Sequence, residues 1–154
     1  MSVLVNKLLE RFLEKAPFSV TLLGILALIL MLFNATRFGV ALAKWQLILE
    51  YMPEPGPIYT AATGLLWAFC WLIVYLGIEL AWRWSGVAFL LLSFLYASYY
   101  WLDRLFFQLF AERSNALFAF IATVLCLSGI IFLLALPQSR AYFAAKSEIK
   151  ESEV

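Results

Sequence analysis

Four long apolar runs dominate the chain, each closed by a few polar or helix-breaking residues. The first uninterrupted stretch, Pro17 to Phe33, holds seventeen uncharged residues. As a helix it rises about 25 Å, adequate for a hydrocarbon core of about 30 Å once flanking residues are counted. Its start suits proline, whose missing N–H would have no partner there. Asn34 and Arg37 mark its exit, which gives a span over residues 17–35. The second run covers residues 57–82 and the third 85–106. Only "RWS" lies between the apolar ends, so they form an antiparallel hairpin with a tight turn. The break "ERSN", residues 112–115, offers Ser114 or Asn115 as an N-cap for a fourth, uncharged run over 116–136, which Pro137 stops.

Two shorter stretches carry a helical period instead. In residues 1–16, Leu4, Val5, Leu8, Leu9, Phe12 and Leu13 share one face, with Lys7, Glu10, Arg11, Glu14 and Lys15 on the other. This predicts an amphipathic helix lying in the membrane interface. A secretory leader fits less well, because "MLFNATRF" after the apolar run is a poor cleavage site. Residues 38–52 are too short and too charged for a comfortable span, with Lys44 and Glu50 inside. Phe38, Ala41, Leu42, Trp45, Leu49 and Met52 fall at helical spacing, which predicts a second interfacial helix, with a re-entrant pore helix as the alternative. "PEPGP", residues 53–57, then ends it. From residue 138 onward acidic and basic residues mix, and a solvated, partly disordered tail is expected.

Composition agrees with the pattern. Of 154 residues 65% are hydrophobic and 14% charged, with a mean hydropathy of +0.92; soluble domains run at about 45–50% apolar and about 25% charged. The expected fold is therefore all-α, a polytopic four-span membrane bundle over residues 17–137, flanked by the N-terminal interfacial helix and the polar tail. Four spans put both termini on one side. That side collects seven Lys and Arg (Lys7, Arg11, Lys15, Arg83, Arg140, Lys146, Lys150) against four on the other (Arg37, Lys44, Arg104, Arg113). The bias predicts cytoplasmic termini in a plasma or inner membrane. A net charge of +1 offers no polybasic surface for nucleic acid.

Candidate chemistry is sparse. The chain has no histidine, which removes the commonest general base and the usual haem and zinc ligands, and no cofactor or metal is expected. Cys70 and Cys126 each sit within an apolar run and read as packing residues. No phosphate-binding glycine loop, GxSxG, CxxC or calcium-loop pattern occurs. The polar positions worth following are Arg37, Glu79, Arg83, Asp103 and Arg104. Glu79 precedes Arg83 by four residues, the favourable order for an ion pair on one helix. Asp103 and Arg104 point about 100° apart on a helix, amid Tyr96, Tyr99, Tyr100, Trp101, Phe106 and Phe107, an aromatic belt at the outer rim. There Asp103 is placed to pair with Arg37, and Arg104 to snorkel outward.

Small residues at four-residue spacing suit close helix contact in lipid. Thr60, Gly64 and Ala68 form one such set, and Ala122, Cys126 and Gly129, at spacings of four and three, mark a second small-residue face on the fourth run. Taken together these features favour a non-enzymatic membrane protein acting through helix–helix interaction, an accessory or scaffold subunit of a larger complex or a homo-oligomer, with lipids around it. A small oligomeric channel or carrier using Glu79, Asp103 and Arg104 is the second expectation. A lipid- or quinone-binding protein using the aromatic level near Trp101 is the third.

Overall fold

The computed structural model describes residues 16–51, 56–106 and 115–144. Six helices account for most of them: α1 Phe18–Ala43, α2 Trp45–Tyr51, α3 Gly56–Glu79, α4 Ser85–Phe106, α5 Ala116–Ala135 and α6 Pro137–Ala144. Among the described residues there is no strand. α1, α3, α4 and α5 are long and apolar enough to cross a membrane. They neighbour one another in the cyclic order α1–α3–α4–α5, with α1 and α3 the most extensive pair. The interfacial helix expected over residues 1–16 falls outside the described residues except for Ala16.

The first helix corrects the expectation for residues 34–52. Instead of ending near Ala35, α1 runs 26 residues to Ala43. Asn34 and Arg37, read as an exit, lie within the helix because the bundle supplies them with partners. Asn34 is fully buried, its side-chain amide donating to the Leu30 carbonyl of its own helix at 2.8 Å. The break falls ten residues after Asn34, at Lys44, whose N–H still closes on the Val40 carbonyl at 2.8 Å. Only Trp45–Tyr51 remains as a separate short helix, beside α1 and α3. A single helix over 38–52 does not form.

The α3–α4 turn is also set by backbone chemistry. α3 stops at Glu79, three residues before the expected end. Ala81 takes a left-handed conformation, φ 48°. The Trp82 N–H bonds to the Gly77 carbonyl at 2.8 Å and the Ala81 N–H to Ile78 at 3.0 Å. These two bonds make a Schellman motif, which consumes the last carbonyls of the helix. Ser85 then opens α4 with its hydroxyl on the Trp82 carbonyl at 2.6 Å.

Trp71, Phe89, Leu23, Ile78 and Val20 form the core of the bundle, all essentially without exposure. Trp71 meets Phe89 edge-on, with ring centroids 5.4 Å apart. Its indole N–H is buried without a hydrogen-bond partner. α1 and α3 approach closely enough that Gly64 touches the backbone of Asn34 and Phe38. In contrast α5 hangs on the edge: Ile130 is its one buried residue, while Leu117, Phe118, Leu125 and Phe132 are 65% exposed or more. Asn115 precedes α5 as expected, but its side chain makes no capping bond, and Ser114 lies outside the described residues.

The tail expectation needs a second correction over residues 138–144; residues 145–154 lie outside the described residues. Residues from Pro137 to Ala144 form α6, folded across one end of the bundle. Ser139 is fully buried, with its hydroxyl donating to the Leu133 carbonyl at 2.7 Å. Its single proton is thereby used, so Ser19 of α1 is the donor in the 2.7 Å Ser19–Ser139 bond. Phe143 packs over Gly86, where a β-carbon would stand 3.2 Å from its ring. Buried serines paired with each other and with backbone hold this segment; polarity alone did not make it a free tail.

Candidate functional site

The densest polar arrangement lies where α1 and α4 end and α3 begins. Tyr96, Tyr99 and Asp103 share a face of α4, at spacings of three and four residues. Asn34 and Arg37, three apart on α1, meet the first two in matched register. The Asn34 amide donates to the Tyr96 hydroxyl at 3.1 Å, and Arg37 Nη1 donates to the Tyr99 hydroxyl at 2.8 Å. The guanidinium carbon also stands 5.7 Å from the centroid of the Tyr99 ring, so charge and ring face attract as well. From α3, the Tyr59 hydroxyl donates to Asp103 Oδ1 at 2.8 Å.

Arginine can only donate and a carboxylate can only accept. Tyr99 therefore accepts from Arg37, and Tyr59 donates to Asp103. Arg37 and Asp103 do not meet directly as the sequence suggested; each is met by a tyrosine from another helix. Both charged groups are half-buried, and each bond to a charged group is worth about 1.5–3 kcal/mol. Trp67 backs the cluster, its ring 5.0 Å from Tyr96 and 5.3 Å from Tyr99. The arrangement ties three helices at one level and leaves neither charge without a partner.

The remaining candidates fall elsewhere. Arg104 lies back on Tyr100 of its own helix, Nη1 to hydroxyl 2.9 Å. Glu79 and Arg83 do not pair, because the left-handed residue Ala81 reverses the chain between them. Glu79 instead lies over Gly24 of α1, with Oε1 3.5 Å from where a β-carbon would be. It also faces Tyr142 of α6, whose hydroxyl donates to the Ile78 carbonyl at 3.1 Å. Burial, and then the Glu79 charge, push the Tyr142 hydroxyl above its ordinary pKa. Glu79 and Asp103 end up at opposite ends of the bundle, with Trp67, Trp71 and Phe89 between them.

Of the small-residue sets, Gly64 and Ala68 are buried on α3, and Thr60 turns its hydroxyl back to the Gly56 carbonyl. On α5 Cys126 and Gly129 are exposed and Ala122 half-exposed, and nothing lies within 4 Å of a β-carbon placed on Gly129. Both cysteines are free. Among the described residues no three of His, Cys, Asp and Glu gather as a metal site.

Sequence reasoning overlooked Tyr59, Ser19 and Ser139, and treated Tyr96 and Tyr99 as belt residues. A signal was present: Asn34–Tyr96 and Arg37–Tyr99 are both separated by 62 positions, the mark of two helices in parallel register. The geometry defines an all-helical protein with four long apolar helices and a polar cluster joining three of them. Compared with known proteins, it matches no family model, no curated protein and no solved structure.

Proposed function

We propose that the chain is an integral membrane protein, its four long helices crossing a plasma or inner membrane with the α1 start and α6 on the cytoplasmic side. It acts by contact rather than by catalysis, as an accessory or scaffold subunit of a membrane complex or homo-oligomer. The observation that carries this reading is α5. This helix buries one residue against its own bundle and turns Cys126 and Gly129 outward over open space. A glycine in a helix costs about 1 kcal/mol relative to alanine, a cost offset when a neighbouring backbone packs against it. The orientation follows from the excess of Lys and Arg at the α6 end.

A pore or carrier path through one chain has less support, since Glu79 and Asp103 sit at opposite ends with large aromatics between. The same separation speaks against an acid–base pair sharing a cavity. Two measurements test the proposal. Cys126 lies mid-way along α5, so a membrane-impermeant maleimide should label it in denaturing detergent and not in sealed membranes; labelling in intact membranes refutes insertion. Purified from native membranes in mild detergent, the chain should carry a protein partner or a second copy, released by Gly129→Leu. A lone monomer overturns the scaffold reading.

A further inference from the structure

At the end of the bundle where α6 folds across, a groove of about 330 Å³ opens between α4, α5 and α6. Its two ionisable walls are both basic: Arg83 from the α3–α4 turn and Arg140 from α6. Val87, Leu90, Leu134 and Phe143 form the rest of its lining with Gly86 and Ala144. Both arginines are exposed, and neither guanidinium has a partner among the described residues. The segment that carries Arg140 is held in place. Ser139, beside Arg140, is held by the Leu133 carbonyl and Ser19, and Phe143 one turn on is seated over Gly86. Trp82 and Trp84 stack at the same level, ring centroids 5.2 Å apart, as aromatics do where hydrocarbon meets headgroups.

We propose that this groove binds one anionic glycerophospholipid, its phosphate between Arg83 and Arg140 and one acyl chain along Val87, Leu90 and Leu134. The charge at the mouth selects the sign of the occupant, and the apolar floor selects its amphiphilic shape. Two planar guanidinium forks suit phosphate oxygens, and basic pockets between helices on the cytoplasmic side are where acidic headgroups collect. A soluble anion would leave the apolar floor uncovered. A zwitterionic lipid brings its own cation to the mouth, where two positive charges already stand. The inference rests on the membrane reading, and is independent of any protein partner.

The test uses the full chain reconstituted in phosphatidylcholine vesicles containing a minority of phosphatidylglycerol with the same acyl chains. Carbonate extraction reports insertion by itself; a chain stripped from the vesicles overturns both this inference and the membrane reading. Lipid retained after mild detergent extraction is then counted by native mass spectrometry. Each arginine should contribute roughly fivefold to the preference for phosphatidylglycerol, and the pair roughly 30-fold, as basic side chains at a membrane surface do. Arg83→Gln combined with Arg140→Gln should abolish the preference, Arg104→Gln at the opposite end should keep it, and Val87→Trp should fill the exposed slot and lower retention with both arginines intact. Equal retention of the two lipids by the inserted wild-type chain overturns the proposal. So does a preference that survives the double substitution, displacement of the lipid by soluble glycerol phosphate, or a co-purifying protein that occupies the arginines instead.

Discussion

Gly64→Ala adds one methyl group where α1 and α3 meet, the tightest surroundings of any glycine among the described residues. The new β-carbon would stand 2.9 Å from the Phe38 nitrogen, 3.1 Å from the Asn34 carbonyl oxygen and 3.2 Å from the Phe38 α-carbon. Ordinary contact begins near 3.4 Å, so about 0.5 Å is missing, and all three atoms are backbone. No side-chain rotation relieves the clash. α1 and α3 must separate, and a gap of about 0.5–1 Å forfeits a quarter to a half of each dispersion contact along the most extensive helix pair. Overpacking of this kind costs about 1–3 kcal/mol, and the upper part of that range applies because backbone cannot yield locally. Gly39→Ala and Gly129→Ala are the controls, since nothing lies within 4 Å of either position. Helix propensity alone predicts a gain of up to about 1 kcal/mol for each. Reversible unfolding in mild detergent, followed by tryptophan fluorescence, measures all three. A Gly64→Ala variant as stable as the parent, or a loss at Gly39 matching that at Gly64, would refute the reasoning.

Removing one hydroxyl from the polar cluster, by Tyr59→Phe or Tyr99→Phe, leaves a half-buried charge short of a partner and should cost about 1–3 kcal/mol. The double variant should cost less than the sum of the two, which a double-mutant cycle in the same unfolding assay detects. Ala81→Gly relieves a left-handed residue at the end of α3 and should stabilise by about 1 kcal/mol; a destabilised variant would speak against the turn. For Tyr142, a folded-state pKa above the ordinary 10.0 means that the unfolded chain ionises first. Below about pH 10 no loss occurs, and stability falls as pH rises from there toward the folded-state value. Tyr142→Phe should flatten that part of the pH–stability curve, and Glu79→Gln should move the Tyr142 titration downward.

The reach of sequence reasoning differed between helix and site for a physical reason. Hydropathy sums many side chains, so no single residue could obscure the runs that became α3, α4 and α5. Single polar residues inside α1 were misread because their meaning depends on what faces them. Asn34 looked like an exit until Tyr96 and the Leu30 carbonyl took its amide protons. Ser139 looked solvated until Ser19, 120 positions away, turned out to be its neighbour. Glu79 and Arg83 were spaced for pairing on one helix, and one left-handed residue between them ended that helix. At Asp103 the sequence supplied a candidate partner, Arg37; the tyrosines that meet each charge came only with the fold.

By itself the sequence determined four long apolar helices and the absence of histidine chemistry, because apolar length and residue inventory are properties of the chain before it folds. The tertiary structure decided where α1 ends, which helix leaves most of its surface uncovered, and which tyrosines meet Arg37 and Asp103. Those depend on helix rotation and register, and a hydrogen bond about 3 Å long tolerates an error in neither.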